Sequence, residues 1–170
     1  GNHTLFFAAV MQAKSVIPIE PVPRAVKAIK ATVEANGLTN VDLSRLGVAV
    51  GAEHGTLRGV PSTTAGLGAT YFEADPQATV RLARLDGLVS TPVYLLKIDV
   101  EGMEMETLAG AAQIIARSRP AIYIEVLDET IGPFLDWIDA NSYRIEKLFP
   151  DKTHCNYLLS PQNDNRQVLG

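Results

Sequence analysis

Cysteine is nearly absent from this 170-residue chain, where Cys155 stands alone. One thiol excludes an internal disulfide and a cysteine-rich zinc site, and it suits a reducing, cytoplasmic compartment. Positive charge is also scarce. Fifteen lysines and arginines against nineteen acids leave a net charge of -4. That balance argues against nucleic acid as a partner, because such a surface needs a basic face. No apolar run approaches the roughly 20 residues that cross a bilayer, so no membrane partner is expected. The histidines His3, His54 and His154 are scattered, without a His-x-x-x-His pair, and each reads as a surface or packing residue. There is no Gly-x-Ser-x-Gly elbow, no Walker loop and no internal repeat. What is present is globular: 46% hydrophobic and 20% charged residues, enough for a single domain over residues 1–170 with a real core. The chain opens on Gly1, with no apolar segment behind a basic start, and reads as one whose beginning has been lost.

The most informative stretch runs from Tyr94 to Gly110. Val93, Tyr94, Leu95, Leu96 and Ile98 make a nearly continuous apolar run, which predicts a strand buried on both faces of a parallel sheet, with Lys97 the interruption. Asp99, Glu101 and the hinge Gly102 follow. Met105, Leu108, Ala112 and Ile115 then carry helical spacing, with Glu104 and Glu106 in the first turn, where carboxylates favour the helix dipole. Ligands of open parallel sheets bind beyond the carboxyl ends of the strands, so Asp99 and Glu101 stand where chemistry is expected. The plainer reading is that both acids solvate a turn and cap the helix.

Residues 1–14 predict a helix with Leu5, Phe6, Ala9 and Val10 inward. Ser15 to Ile19 reads as a short strand ending at Glu20, which Pro21 and Pro23 stop. An acid at such a strand end accepts hydrogen bonds from ribose hydroxyls in dinucleotide-type folds; otherwise it is a surface acid before a turn. Pro23 opens a helix that buries Val26, Ile29 and Val33 and ends at Asn36-Gly37. Val41 to Val50 predicts a strand. Residues 59–76, rich in Gly, Pro, Ser and Thr, read as a long loop and lid facing the acceptor, with Tyr71 and Phe72 as packing residues. Ala78 to Leu85 reads as a half-exposed strand to which residues 56–60 add antiparallel. Ala121 to Val126 predicts a buried strand ending near Glu125, and Phe134, Leu135 and Ile138 mark a helix. Tyr143–Phe149 and Asn156–Leu159 predict a closing hairpin turning at Pro150 and Asp151.

Lys-Ile-Asp-Val-Glu-Gly-Met-Glu, followed by Leu-Ala-Gly-Ala and by Arg-Pro-Ala-Ile-Tyr-Ile-Glu from Arg119, resembles the FkbM family of S-adenosylmethionine-dependent methyltransferases. The likeness includes Ile-Glu-Pro-Val-Pro at Glu20 and Ala49-Val50-Gly51. It implies an α/β fold of the Rossmann-like class I methyltransferase type, with an antiparallel last strand. It also implies that the first strand and part of the glycine-rich loop, Asp-x-Gly-Ala-Asn-x-Gly, are missing ahead of Gly1.

The resemblance implies S-adenosyl-L-methionine as cofactor, met by Gly1, Asn2, Thr4, Glu20, Pro21, Ala49 and Asp99. Asp99 and Glu101 become the catalytic candidates, with Glu125 beside them. A sugar or other small-molecule hydroxyl must lose its proton as it attacks, which a nearby carboxylate assists. Clustered acids also suit magnesium or manganese, and the spacing leaves base and metal ligand both open. Two rival readings are a non-catalytic fragment and a nicotinamide-dependent oxidoreductase, which would place Glu20 on a ribose as well. Acceptor identity and oligomeric state are not legible.

Overall fold

A computed structural model describes residues 1–61, 70–75 and 77–162. Its contacts group into two compact units, Gly1–Arg84 and Leu85–Gly170.

In the first unit, α1 (Asn2–Leu5) runs on as a π-helical turn, Phe6–Val10. Thr4 and Ala8 face inward, whereas Phe6 is 44% and Val10 67% exposed, so the expected apolar stripe is not the buried one. The Asn40 amide donates to the carbonyls of Ala8 and Ala13 and ties down the end of this segment. The strand predicted at Ser15–Ile19 is reduced to two isolated parallel bridges, Val16 with Val41 and Glu20 with Leu46. Pro18 is the reason, since a residue without N–H interrupts a ladder.

Helix α2 (Pro23–Ala35) starts on its proline and ends where Gly37 takes φ +58°, as its sequence predicts; it buries Ile29 and Val33 but leaves Val26 half-buried. The strand expected from Val41 is shortened. Asp42 Oδ1 accepts from the N–H of Ser44 and seeds a 3-10 turn, Leu43–Arg45, leaving β1 as Val48–Val50.

A second correction concerns residues 59–76, whose described flanks are strands: β2 (Gly55–Pro61) pairs antiparallel with β3 (Thr70–Ala74). Thr70, Tyr71 and Phe72 favour extended backbone despite the surrounding turn formers. Residues 62–69, and the packing expected of the Tyr71 and Phe72 side chains, lie outside the described residues. The sheet order is β1-β4-β2-β3, where β4 (Val80–Ala83) is parallel to β1 and antiparallel to β2, the addition predicted for residues 56–60.

The second unit holds a sheet of order β5-β6-β8-β7, built from β5 (Leu95–Ile98), β6 (Ala121–Leu127), β7 (Tyr143–Pro150) and β8 (His154–Pro161). β5 and β6 are parallel. β8 inserts antiparallel between β6 and β7, so the predicted closing hairpin is present. One face carries Ile98, Ile122, Ile124, Val126, Tyr157 and Leu159, all buried. Helices α3 (Glu104–Gly110) and α5 (Ile131–Ala140) pack on β6. The ring of Phe134 meets Tyr157 edge-on at 4.8 Å.

The opposite face is only half covered. Leu95 is 40% and Tyr94 87% exposed, so β5 is not buried on both faces as the apolar run predicts. The single expected helix is two, α3 and α4 (Ala112–Ser118), meeting at Ala111. The break turns the buried stripe onto Leu108, Ala111, Ile114 and Ile115 and leaves Ala112 exposed.

Candidate active site

In the second unit, β5 and β6 run parallel, and their carboxyl ends deliver Asp99, Glu101 and Glu125 to one end of the sheet. β8 runs the other way, so its first residue, His154, arrives at the same end.

Asp99 is held by its own strand. Lys97 Nζ lies 2.7 Å from Asp99 Oδ2, and Lys97 keeps only 15% of its side chain exposed. Its stem lies along the half-covered face beside Tyr123, its partner across the ladder, while the ammonium reaches the strand end.

The chain then turns sharply. Glu101 has φ +52° and Gly102 φ +98°, two successive left-handed residues, of which the glutamate's costs about 1 kcal/mol. Burial, and then the charges of Asp99 and Glu125, push the Glu101 carboxyl above the usual range, while His154 draws it back. Glu104 closes the turn, its Oε1 accepting from the N–H of Gly102 at 2.8 Å. This side chain is 1% exposed, and Oε2 is buried without a hydrogen-bond partner among the described residues. Burial raises the Glu104 carboxyl above its ordinary 4.5; hydrogen bonds from Gly102 and its own backbone offset part of that, and the charges of Glu106 and Glu125 add to it.

Glu125 Oε2 stands 3.4 Å from His154 Nε2, with side chains 22% and 24% exposed. Among the described residues no group of three histidine, cysteine or acidic side chains converges as a metal-binding set. A groove of about 600 Å³ lies at the other end of this sheet, lined by Ile115, Arg119, Asn141, Ser142 and Gln162 among others. Arg119 there donates to the carbonyls of Asn141 and Ser142, and no carboxylate side chain lines it, so the acid end of the sheet is the better place for chemistry.

The other predicted site residues belong to the first unit. Glu20 is half-buried, and its Oε1 accepts from the N–H of Val22 at 2.9 Å. Pro21 is half-buried beside it, and Ala49 is 4% exposed. Gly1 and Asn2 are exposed at the start of α1, with Thr4 buried one turn on. A Cβ on Gly1 would stand 2.7 Å from Thr32 Oγ1, so α1 packs closely on α2 and a larger residue there would make Thr32 shift.

The profile of the methyltransferase FkbM domain matches residues 1–145. The chain belongs to the FkbM methyltransferase family. No curated protein matches it. A crystal structure of methyltransferase FkbM from Methylobacillus flagellatus KT shares its fold, with a TM-score of 0.64 at 20% identity over 93% of this chain. The match spans 40% of that protein's length.

Two residues of this FkbM chain gain a place that its sequence does not advertise. Glu104 reads as an exposed first-turn acid until its burial is known. His154 reads as a surface residue until the register of β8 on β6 brings it to Glu125.

Proposed function

We propose that this domain transfers a methyl group from S-adenosyl-L-methionine to a hydroxyl of a sugar or another small molecule. Membership of a methyltransferase family carries the reading, and the acid-lined strand end supports it. When bound, the cofactor supplies a methyl already activated by positive charge on sulfur, so the protein's task is mostly positioning.

The donor chemistry of the first unit fits such a cofactor. Glu20 ends its extended segment with a carboxylate, whose two oxygens suit a ribose diol. Gly1 fits the last glycine of the loop by its packing demand on α2, with Asn2 and Thr4 opening the helix behind it. Pro21 adds an apolar edge beside Glu20. At Ala49, which is almost wholly buried, contact runs through the neighbouring backbone. Asp99 and Glu101 face the acceptor and hold its hydroxyls, with Asp99 fixed by Lys97. We read the whole as one class I, Rossmann-like domain. Its net charge of -4 suits a neutral acceptor rather than a polyanion or membrane surface, and the lone Cys155 suits the cytoplasm.

Transfer of labelled methyl groups to a panel of methyl glycosides tests this reading. Asp99→Asn keeps the shape and removes the charge, and is expected to lower the rate about a hundredfold while S-adenosylhomocysteine still binds. A wild-type rate with weakened binding would instead make Asp99 a cofactor contact.

A further inference from the structure

Methyl transfer to a hydroxyl releases a proton, and Asp99 already gives Oδ2 to Lys97. The register of the inserted strand offers another acceptor. Glu125 lies opposite Asn156, and Leu127 lies opposite His154. Side chains two residues apart on a strand share a face, so His154 is the diagonal neighbour of Glu125. At 3.4 Å, Nε2 is the ring nitrogen turned towards the carboxylate. A neutral imidazole with its hydrogen on Nε2 keeps a lone pair on Nδ1.

We propose that His154, oriented by Glu125, takes the proton of the acceptor hydroxyl at Nδ1. The proposal rests on the methyl-transfer reading above. As the hydroxyl oxygen bonds to the methyl carbon, the carbon–sulfur bond breaks with its electron pair returning to sulfur, and the proton passes to Nδ1. Glu125 does for this ring what a buried carboxylate does in hydrolase triads: it fixes the tautomer and stabilises the imidazolium.

The surroundings agree. Both side chains are about three-quarters buried, which strengthens their interaction yet leaves a path for a ligand. Glu101 lies within electrostatic reach of both, adding negative charge where the imidazolium forms. Further charged residues at this end are Asp128, whose N–H meets the carbonyl of Thr153, Asp151 and Lys152 of the adjoining turn, and the Lys97–Asp99 pair.

The test uses the full chain with isotope-labelled histidine, in which His154→Gln assigns one of three imidazole signals. The expected neutral ring carries hydrogen on Nε2, and Glu125→Gln, whose amide can also donate, moves hydrogen towards Nδ1. A wild-type ring protonated on Nδ1, or a tautomer unchanged in Glu125→Gln, overturns the proposal. Turnover is then followed as S-adenosylhomocysteine formation with methanol as the probe hydroxyl. The wild-type rate should rise with pH along the His154 titration. His154→Gln should lose about a hundredfold and flatten that rise while S-adenosylhomocysteine affinity, measured by calorimetry, is unchanged. Retained binding with equal turnover in wild type and His154→Gln, or with no turnover in either, overturns this proposal alone. Absence of S-adenosylhomocysteine binding by the wild type overturns the methyl-transfer reading and this proposal with it.

Discussion

Glu104 shows how one side chain shapes the site without facing it. It is 1% exposed, yet only Oε1 is bonded, to the N–H of Gly102. That bond braces the turn in which Glu101 takes φ +52°. Its charged form is the costly one. Because burial raises the folded pKa above the ordinary 4.5, the group's favourable contribution is complete below 4.5 and is lost as pH rises through the folded value. Glu104→Gln keeps an acceptor for Gly102 but never ionises. Urea midpoints across pH should therefore show the wild type losing stability relative to Glu104→Gln as pH rises from 4.5. A difference that is constant with pH would mean that Glu104 titrates as an ordinary surface acid. Asp99 and Glu101 were legible because acid residues after an apolar run mark a strand end. Glu104 and His154 were not, because burial and cross-strand register follow from packing of segments distant in sequence.

At the scale of elements, helix α2 and the β7–β8 hairpin follow their local signals, a starting proline, a left-handed glycine and two apolar runs around a turn. Local signals misled where one residue outweighed the pattern. Pro18 dissolves the strand at Ser15–Ile19 into bridges, and Ala111, at φ -103° and ψ 8°, divides an otherwise continuous helical period. The inserted strand is paired on both sides by β6 and β7, and Phe134 of α5 is fully buried against its Tyr157. Phe134→Ala should cost about 3–5 kcal/mol in a denaturant titration, the range for emptying an aromatic core position. Since Tyr157 shares β8 with His154 and pairs with Ile124, the neighbour of Glu125, the same variant should also disturb the His154 imidazole signal. A loss below about 1 kcal/mol, which is ordinary for surface substitutions, would mean that α5 is not packed on the sheet as described.

For the whole molecule, composition and charge narrowed the partners, and the motif around Asp99 led to the family that the profile match shows. The division into two compact units was not legible, because it follows from tertiary contacts rather than from any change in composition along the chain. The central claim is the proposed recognition of S-adenosyl compounds by this chain. Calorimetric titration of the chain with S-adenosylhomocysteine and, separately, with NAD tests it most directly. The expected result is binding of S-adenosylhomocysteine alone, weakened by about 1–3 kcal/mol in Glu20→Ala, the scale for lost hydrogen bonds to a charged group. Tight NAD binding without an S-adenosylhomocysteine signal would contradict it.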